Sequence, residues 1–466
     1  MKPWRVAVPL ALGLALWLVP APEGLDPRAW HAFAVFAAAI LAILLEAFPI
    51  LVVAILALAI AVLSGALTAE DAYQGFSRSV ILLIMVAFLV ARTVVTSGLG
   101  ARIGHLVVAR FGGSTLGLGY SVFLTDALIA PGFPSNTARS GVIYPLALSL
   151  ALHGDSRPDD GSAGRMGKYL MLCGITSLAV SSGLWLTAMA ANPVGAEFAR
   201  EHGVEIGFAS WLATAIVPSL VALAAMPWVV YRLARPEIER TPDAPQRARE
   251  ALARLGPLSR DERTVALIFV LMVLAWATSS VLGLDNTAVA FLGLGLLMAT
   301  GVYTADHLKS EGEALGTFIW FAALFALASA LDRYGFTTFA GHQLAAALAG
   351  LPWPAVYALL VALYVVLHYL FVSQTAHLMA LLPVFLEVGV DRGVPAALLA
   401  FGLLFASNYF SGLTPQASSA NVLFAASGYV TQRELYRVGA VSTAVLLAIF
   451  LIAGTPWILL LWGAAR

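Results

Sequence analysis

Two five-residue stretches, Ser135-Asn136-Thr137-Ala138-Arg139 and Ser373-Gln374-Thr375-Ala376-His377, carry the side chains of this chain best suited to holding a ligand. Each is followed at the same offset by a proline, Pro145 or Pro383. Ser, Thr, Ala and Pro therefore match, while Asn136 stands against Gln374 and Arg139 against His377. Hydroxyl and amide donors at the start of an apolar helix add to the positive end of its dipole, and both attract an anion. One Ser/Asn/Thr cluster in an apolar helix reads equally well as interhelical glue or a cap. A matched pair at repeat-related positions reads as the twin halves of one site for a small anion.

The mismatched positions carry charge. An arginine deep in a bilayer costs about 2.5 to 3.5 kcal/mol on insertion scales, so Arg139 is expected to have a function there. Its structural alternative is an ion pair with Asp126, and the two roles are compatible. His377 alone would read as a core histidine; its place opposite Arg139 favours a functional role.

These residues need a membrane scaffold. Hydrophobic residues make up 60% of the chain, charged residues 11%, and mean hydropathy is +0.88, against roughly 25% charged in soluble domains. Apolar runs of helical length recur, with none of the short alternating segments of a barrel. The expected fold is an all-α integral membrane protein of about 11 transmembrane helices plus two re-entrant helical hairpins, arranged as two inverted repeats. Pro131-Gly132-Phe133-Pro134 forbids a continuous helix from Thr115 to Leu152 in apolar surroundings, which predicts the first hairpin. Pro354 to Leu370, turning at Ser373-Gln374, predicts the second. A span is expected over Leu170 to Ala190, and the N-terminal run reads as an uncleaved first helix rather than a signal peptide. Cys173 is the only cysteine, which excludes an intrachain disulfide and a cysteine metal cluster.

The repeats suggest scaffold helices over 1–97 and 264–333. The first hairpin and its transport helices fall in 98–231, the second set in 334–466. Between the halves, residues 232–263 form a solvated linker with eight arginines and six acids. With a cytoplasmic N-terminus and neither hairpin crossing, eighteen Lys/Arg fall inside and six outside. By the positive-inside rule this inverts the two hairpins and places the C-terminus outside. A bacterial inner membrane is the expected location.

The motif pair resembles that of the divalent anion/sodium symporter family, over nearly the whole chain. Ser135-Asn136-Thr137 matches the family's Ser-Asn-Thr hallmark, and Ser373-Gln374-Thr375 departs from it at the middle residue. That departure, with Thr375-Ala376-His377 and Ala190-Ala191-Asn192-Pro193, is similar to the dicarboxylate exchanger branch. The resemblance implies substrate contacts at Ser135, Asn136, Thr137, Ser373, Gln374 and Thr375, and at broken helices near Thr187 and Thr414-Pro415. It further implies a homodimer in which the hairpins move substrate as an elevator. Implied partners are membrane lipid and dicarboxylates such as malate, succinate, fumarate or 2-oxoglutarate, with no nucleic acid, metal or cofactor.

If Arg139 and His377 stand where sodium would sit, a fixed positive charge stays behind when the anion leaves, and only the loaded carrier moves readily. The expectation is sodium-independent dicarboxylate antiport, with Arg139 and His377 as countercharges and Asp126 as a coupling or pairing group. Sodium- or proton-coupled symport on the same fold is the alternative, with sodium bound only in that case. An anion channel or a structural membrane subunit is a further one. No protease, nucleotide or Ser/His/Asp motif points to an enzyme.

Overall fold

A computed structural model describes residues 2–371 and 373–463, the side chain of Ser310 aside. The C-terminal Arg466, counted outside above, lies beyond these. The chain is helical, and among the described residues the only β pairing is an isolated bridge between Ser114 and Arg240. Among the described residues, seven helices are long and apolar enough to cross a membrane, accompanied by shorter apolar helices such as Pro3–Leu18 and Ile50–Leu63.

Two compact units form. The first combines Met1–Met85, Val194–Glu205 and Ser310–Leu403. Its core gathers around Gly312–Arg333, whose middle turns are buried almost all round. Phe33 of Pro27–Leu44 stacks on Phe336, with centroids 4.1 Å apart. The second hairpin belongs here, as helices Trp353–Leu367 and Gln374–Asp391.

The second unit combines Val86–Pro193, Ile206–Lys309 and Leu404–Arg466 and holds the first hairpin, Thr115–Ile129 and Asn136–His153. Both hairpins pair a 15-residue helix with an 18-residue one. At 1.5 Å per residue the shorter arms reach about 22 Å, less than the roughly 30 Å hydrocarbon core. In each half a glycine in the left-handed region, Gly98 (φ 83°) or Gly335 (φ 86°), starts the amphipathic helix before the hairpin. Only glycine takes that conformation without steric cost.

One sequence expectation needs correction. The span expected over Leu170 to Ala190 ends at Leu184: Gly167–Leu184 gives way to an extended Trp185 and a 3₁₀ turn at Leu186–Ala188. Hydropathy does not register the change because the break is itself buried. The linker is largely exposed, as expected of a solvated segment, and it carries a surface helix anchored to the body of the unit. Thr115 donates through its backbone N–H to the Glu239 carbonyl (3.0 Å) and through Oγ1 to that of Ile238 (2.5 Å), while Thr241 Oγ1 donates to the Gly112 carbonyl (2.7 Å). Its helix Ala244–Leu255 packs on Leu99–Phe111. Arg102 of that amphipathic helix grips Glu262 through Nε (2.6 Å) and Nη2 (3.0 Å), a bidentate pair.

Candidate functional site

Each hairpin turns the same way. Six residues separate its helices: a 3₁₀ turn, Ala130–Gly132 or His368–Leu370, then an extended phenylalanine, Phe133 or Phe371, and finally the capping serine. Ser135 (φ −138°, ψ 123°) and Ser373 (φ −144°, ψ 124°) share one backbone conformation. Ser135 Oγ accepts from the Ala138 N–H at 3.2 Å and Ser373 Oγ from the Ala376 N–H at 3.3 Å. Each serine leaves further N–H groups of the first turn with no intrahelical partner, which is what makes a helix start an anion site.

In the second unit the first hairpin rests on a buried polar network. Arg139 is fully buried, and its Nη2 donates to Asn136 Oδ1 (2.5 Å), Ser182 Oγ (2.5 Å) and the Leu178 carbonyl (3.2 Å). Asp126 Oδ1 lies 3.6 Å from Arg139 Nε, and Asp126 Oδ2 accepts from the Ser181 hydroxyl. Arg139 is therefore half of a neutral ion pair. The pair is loose: among the described residues neither Asp126 Oδ1 nor Arg139 Nε and Nη1 makes a hydrogen bond. Asn136 is buried, its side-chain oxygen also accepting from Ser182 Oγ at 2.7 Å. Thr137 is exposed and meets Ser419 hydroxyl to hydroxyl at 2.6 Å.

Two helix breaks flank this tip. At the first, Thr187 Oγ1 donates to the Pro131 carbonyl (2.7 Å), Trp185 Nε1 to that of Ala127 (2.9 Å), and the Ala190 N–H to that of Pro134 (2.8 Å). Thr187 thus holds the hairpin with the hydroxyl expected to meet substrate. At the second break Thr414 is buried with no hydrogen-bond partner for Oγ1 among the described residues, and Pro415 is half-buried.

In the first unit Ser373, Gln374, Thr375 and His377 lie on one turn, with Gln374 and His377 buried and Ser373 and Thr375 half-buried. The shift that carries Ser135 to Ser373 carries Asp126 to Tyr364 and Ala130 to His368. Where Arg139 faces a carboxylate, His377 faces an aromatic edge, the Tyr364 ring at 4.3 Å between centroids. His368 Nδ1 is 3.3 Å from His377 Nδ1, so one ring donates and the other accepts.

Sequence reasoning passed over His368, Ser419 and Asn421. The signal for His368 was the same repeat shift applied to the turn before the serine. Asn421 was legible in Ser411-Gly412-Leu413, which repeats Ser182-Gly183-Leu184 ahead of an asparagine ten residues on, as in Asn192.

Paired capped hairpins and broken helices carrying a buried polar network define a membrane transporter. The chain belongs to the family described as the sodium:sulfate symporter transmembrane region, which matches residues 1–463, the divalent anion/sodium symporters its motifs resemble. YflS of Bacillus subtilis, provisionally named a malate transporter, is 38% identical over 452 residues, covering 97% of this chain and 95% of that one. Dicarboxylate transporter 1 of Arabidopsis thaliana chloroplasts is 37% identical, covering 98% of this chain and 84% of that one. The citrate/succinate antiporter of Escherichia coli is 32% identical, covering 99% and 98%. In fold the chain is similar to the YdaH transporter of Alcanivorax borkumensis (TM-score 0.59, 15% identity, 98% of each chain).

Proposed function

We propose that this protein exchanges C4 and C5 dicarboxylates across a bacterial inner membrane without sodium. One observation carries the reading: two return helices begin at serine caps of the same geometry, each followed four residues later by a buried basic side chain. Two such helix starts suit a ligand with a carboxylate at each end. The substrate class is supported by the relatives' names, malate, dicarboxylate and citrate/succinate. We place substrate contacts at Ser135, Thr137, Ser373, Thr375, Thr414 and Pro415, with Asn136 and Gln374 orienting the caps. A homodimer working as an elevator is part of the same proposal, as the family resemblance implies.

Exchange follows from what stays behind. Arg139 cannot leave with the anion as a sodium ion would. Its pairing with Asp126 makes it a fixed dipole rather than a bare charge. The restraint on the empty carrier therefore comes mainly from the two helix starts, whose donors need an acceptor in low dielectric. The anion supplies it, and the empty carrier returns slowly. Counterflow in vesicles tests this: uptake requires internal dicarboxylate and is unchanged when sodium is replaced by potassium. Net uptake into empty vesicles driven by a sodium gradient sinks it.

A second reading, proton-coupled symport, is favoured by the His368–His377 contact, which forms a single proton-bearing link in a buried site. It predicts net uptake into empty vesicles driven by an imposed proton gradient and lost in His377→Gln.

A further inference from the structure

The two helix breaks of the second unit are closed by the same device. Asn192 Nδ2 donates to the carbonyls of Ser182 (3.0 Å) and Trp185 (3.3 Å), ten and seven residues earlier. Asn421 Nδ2 donates to the carbonyls of Ser411 (2.6 Å) and Thr414 (3.0 Å), again ten and seven residues earlier. Both asparagines are buried, at 0% and 3% exposure. The carbonyls they satisfy are those a helix leaves orphaned where it stops, and burial makes a partner for them obligatory. A third asparagine ties the first clamp to the second broken helix: Asn408 Nδ2 donates to Asn192 Oδ1 (2.9 Å) and to the carbonyl of Leu404 in its own helix (2.9 Å).

We infer that Asn192 and Asn421 are repeat-related positioning residues for the transported anion, fixing the two broken segments against the first hairpin, with Asn408 coupling them. The inference rests on the proposed dicarboxylate transport for its ligand and on hydrogen bonds alone for its geometry. The segment Asn192 closes makes three hydrogen bonds to the first hairpin, from Trp185 to the end of its first helix and from Thr187 and Ala190 to its turn. The segment Asn421 closes carries Thr414, Pro415 and Ser419, and Ser419 meets Thr137 at the tip. Releasing either clamp loosens one wall of the site without removing any group that touches the anion.

Asparagine to aspartate tests the device, because the shape is kept and the donor is lost. In Asn192→Asp and Asn421→Asp, hydrogen exchange of the solubilised protein rises by about tenfold, the equivalent of ~1.4 kcal/mol. The rise falls in residues 183–191 for the first variant and 412–420 for the second; Asn408→Ala raises it in both. In vesicles the KM for succinate exchange rises about tenfold while the maximal rate per folded protein holds. Lowering the pH restores KM as the new carboxyl regains a proton to donate. Asn421→Gln, which keeps the donor, recovers part of the affinity and covers the case in which an aspartate variant does not fold. Unchanged exchange in the breaks, or an unchanged KM with a maximal rate falling in step with the melting temperature, overturns the inference. If the wild type transports no dicarboxylate, the proposed function fails while hydrogen exchange still decides the clamp.

Discussion

Arg139 shows how much one residue's meaning depends on its partner. Its burial and its place after the tip serine were readable from the sequence, and so was Asp126 as a partner. The share of its charge that Asp126 takes was not, because that depends on which side of each hairpin helix meets the other. Fully buried and opposed at 3.6 Å, the two side chains cost far less together than either does alone. Arg139→Ala is expected to strand Asp126 and destabilise the protein by about 3 to 5 kcal/mol. Adding Asp126→Asn should return more than about 1 kcal/mol of that, a coupling typical of residues in contact. Melting temperatures of the two single variants and the double read it out; additive losses would mean that the pair does not interact. Counterflow in the same set separates stability from transport, since a purely structural arginine would leave exchange intact in a folded double variant.

At the level of the element, what the sequence states locally was legible. Pro131, Gly132 and Pro134 stop a helix by covalent geometry, so the first hairpin follows from its own residues, while the second, whose turn holds neither proline nor glycine, follows from the repeat of the Ser-x-Thr-Ala motif. The break after Leu184 was not legible, since it depends on Asn192 reaching back ten residues to close it. The helix that follows, Ala191–Glu201, ends in a carboxylate-rich corner. Withdrawal from water, then the nearby carboxylates of Asp332 and Glu197, push the Glu201 carboxyl up to about 7. A raised carboxyl holds its proton more tightly in the folded protein than in the unfolded one. Stability from this group is thus complete below its ordinary value of 4.5 and is lost as pH rises towards 7. Glu201→Gln should raise the melting temperature more at about pH 8 than at about pH 5, relative to wild type. Equal shifts at both would show that Glu201 titrates normally.

Across the whole molecule, the charge carried in one transport step decides how it responds to voltage. The paired Arg139 and Asp126 add no net charge to the proposed site, and no sodium travels in the proposed cycle. One dicarboxylate swapped for another of equal charge then moves nothing net through the field, although each elementary charge in that field is worth about 2.3 kcal/mol per 100 mV. Succinate/succinate exchange should accordingly reach the same final distribution of label under a potassium-diffusion potential of either sign. Exchange of succinate for a trivalent citrate carries one net charge per cycle, so the same potential should bias it by up to about fiftyfold per 100 mV at the limit. Both are measured with labelled substrate in vesicles clamped by valinomycin. A succinate/succinate endpoint that shifts with potential would show that a charge besides the two dianions crosses one way in each cycle, because a fixed charge such as Arg139 crosses in both directions and cancels. A proton carried on the His368–His377 link would supply it, and the shift would then fade as pH rises.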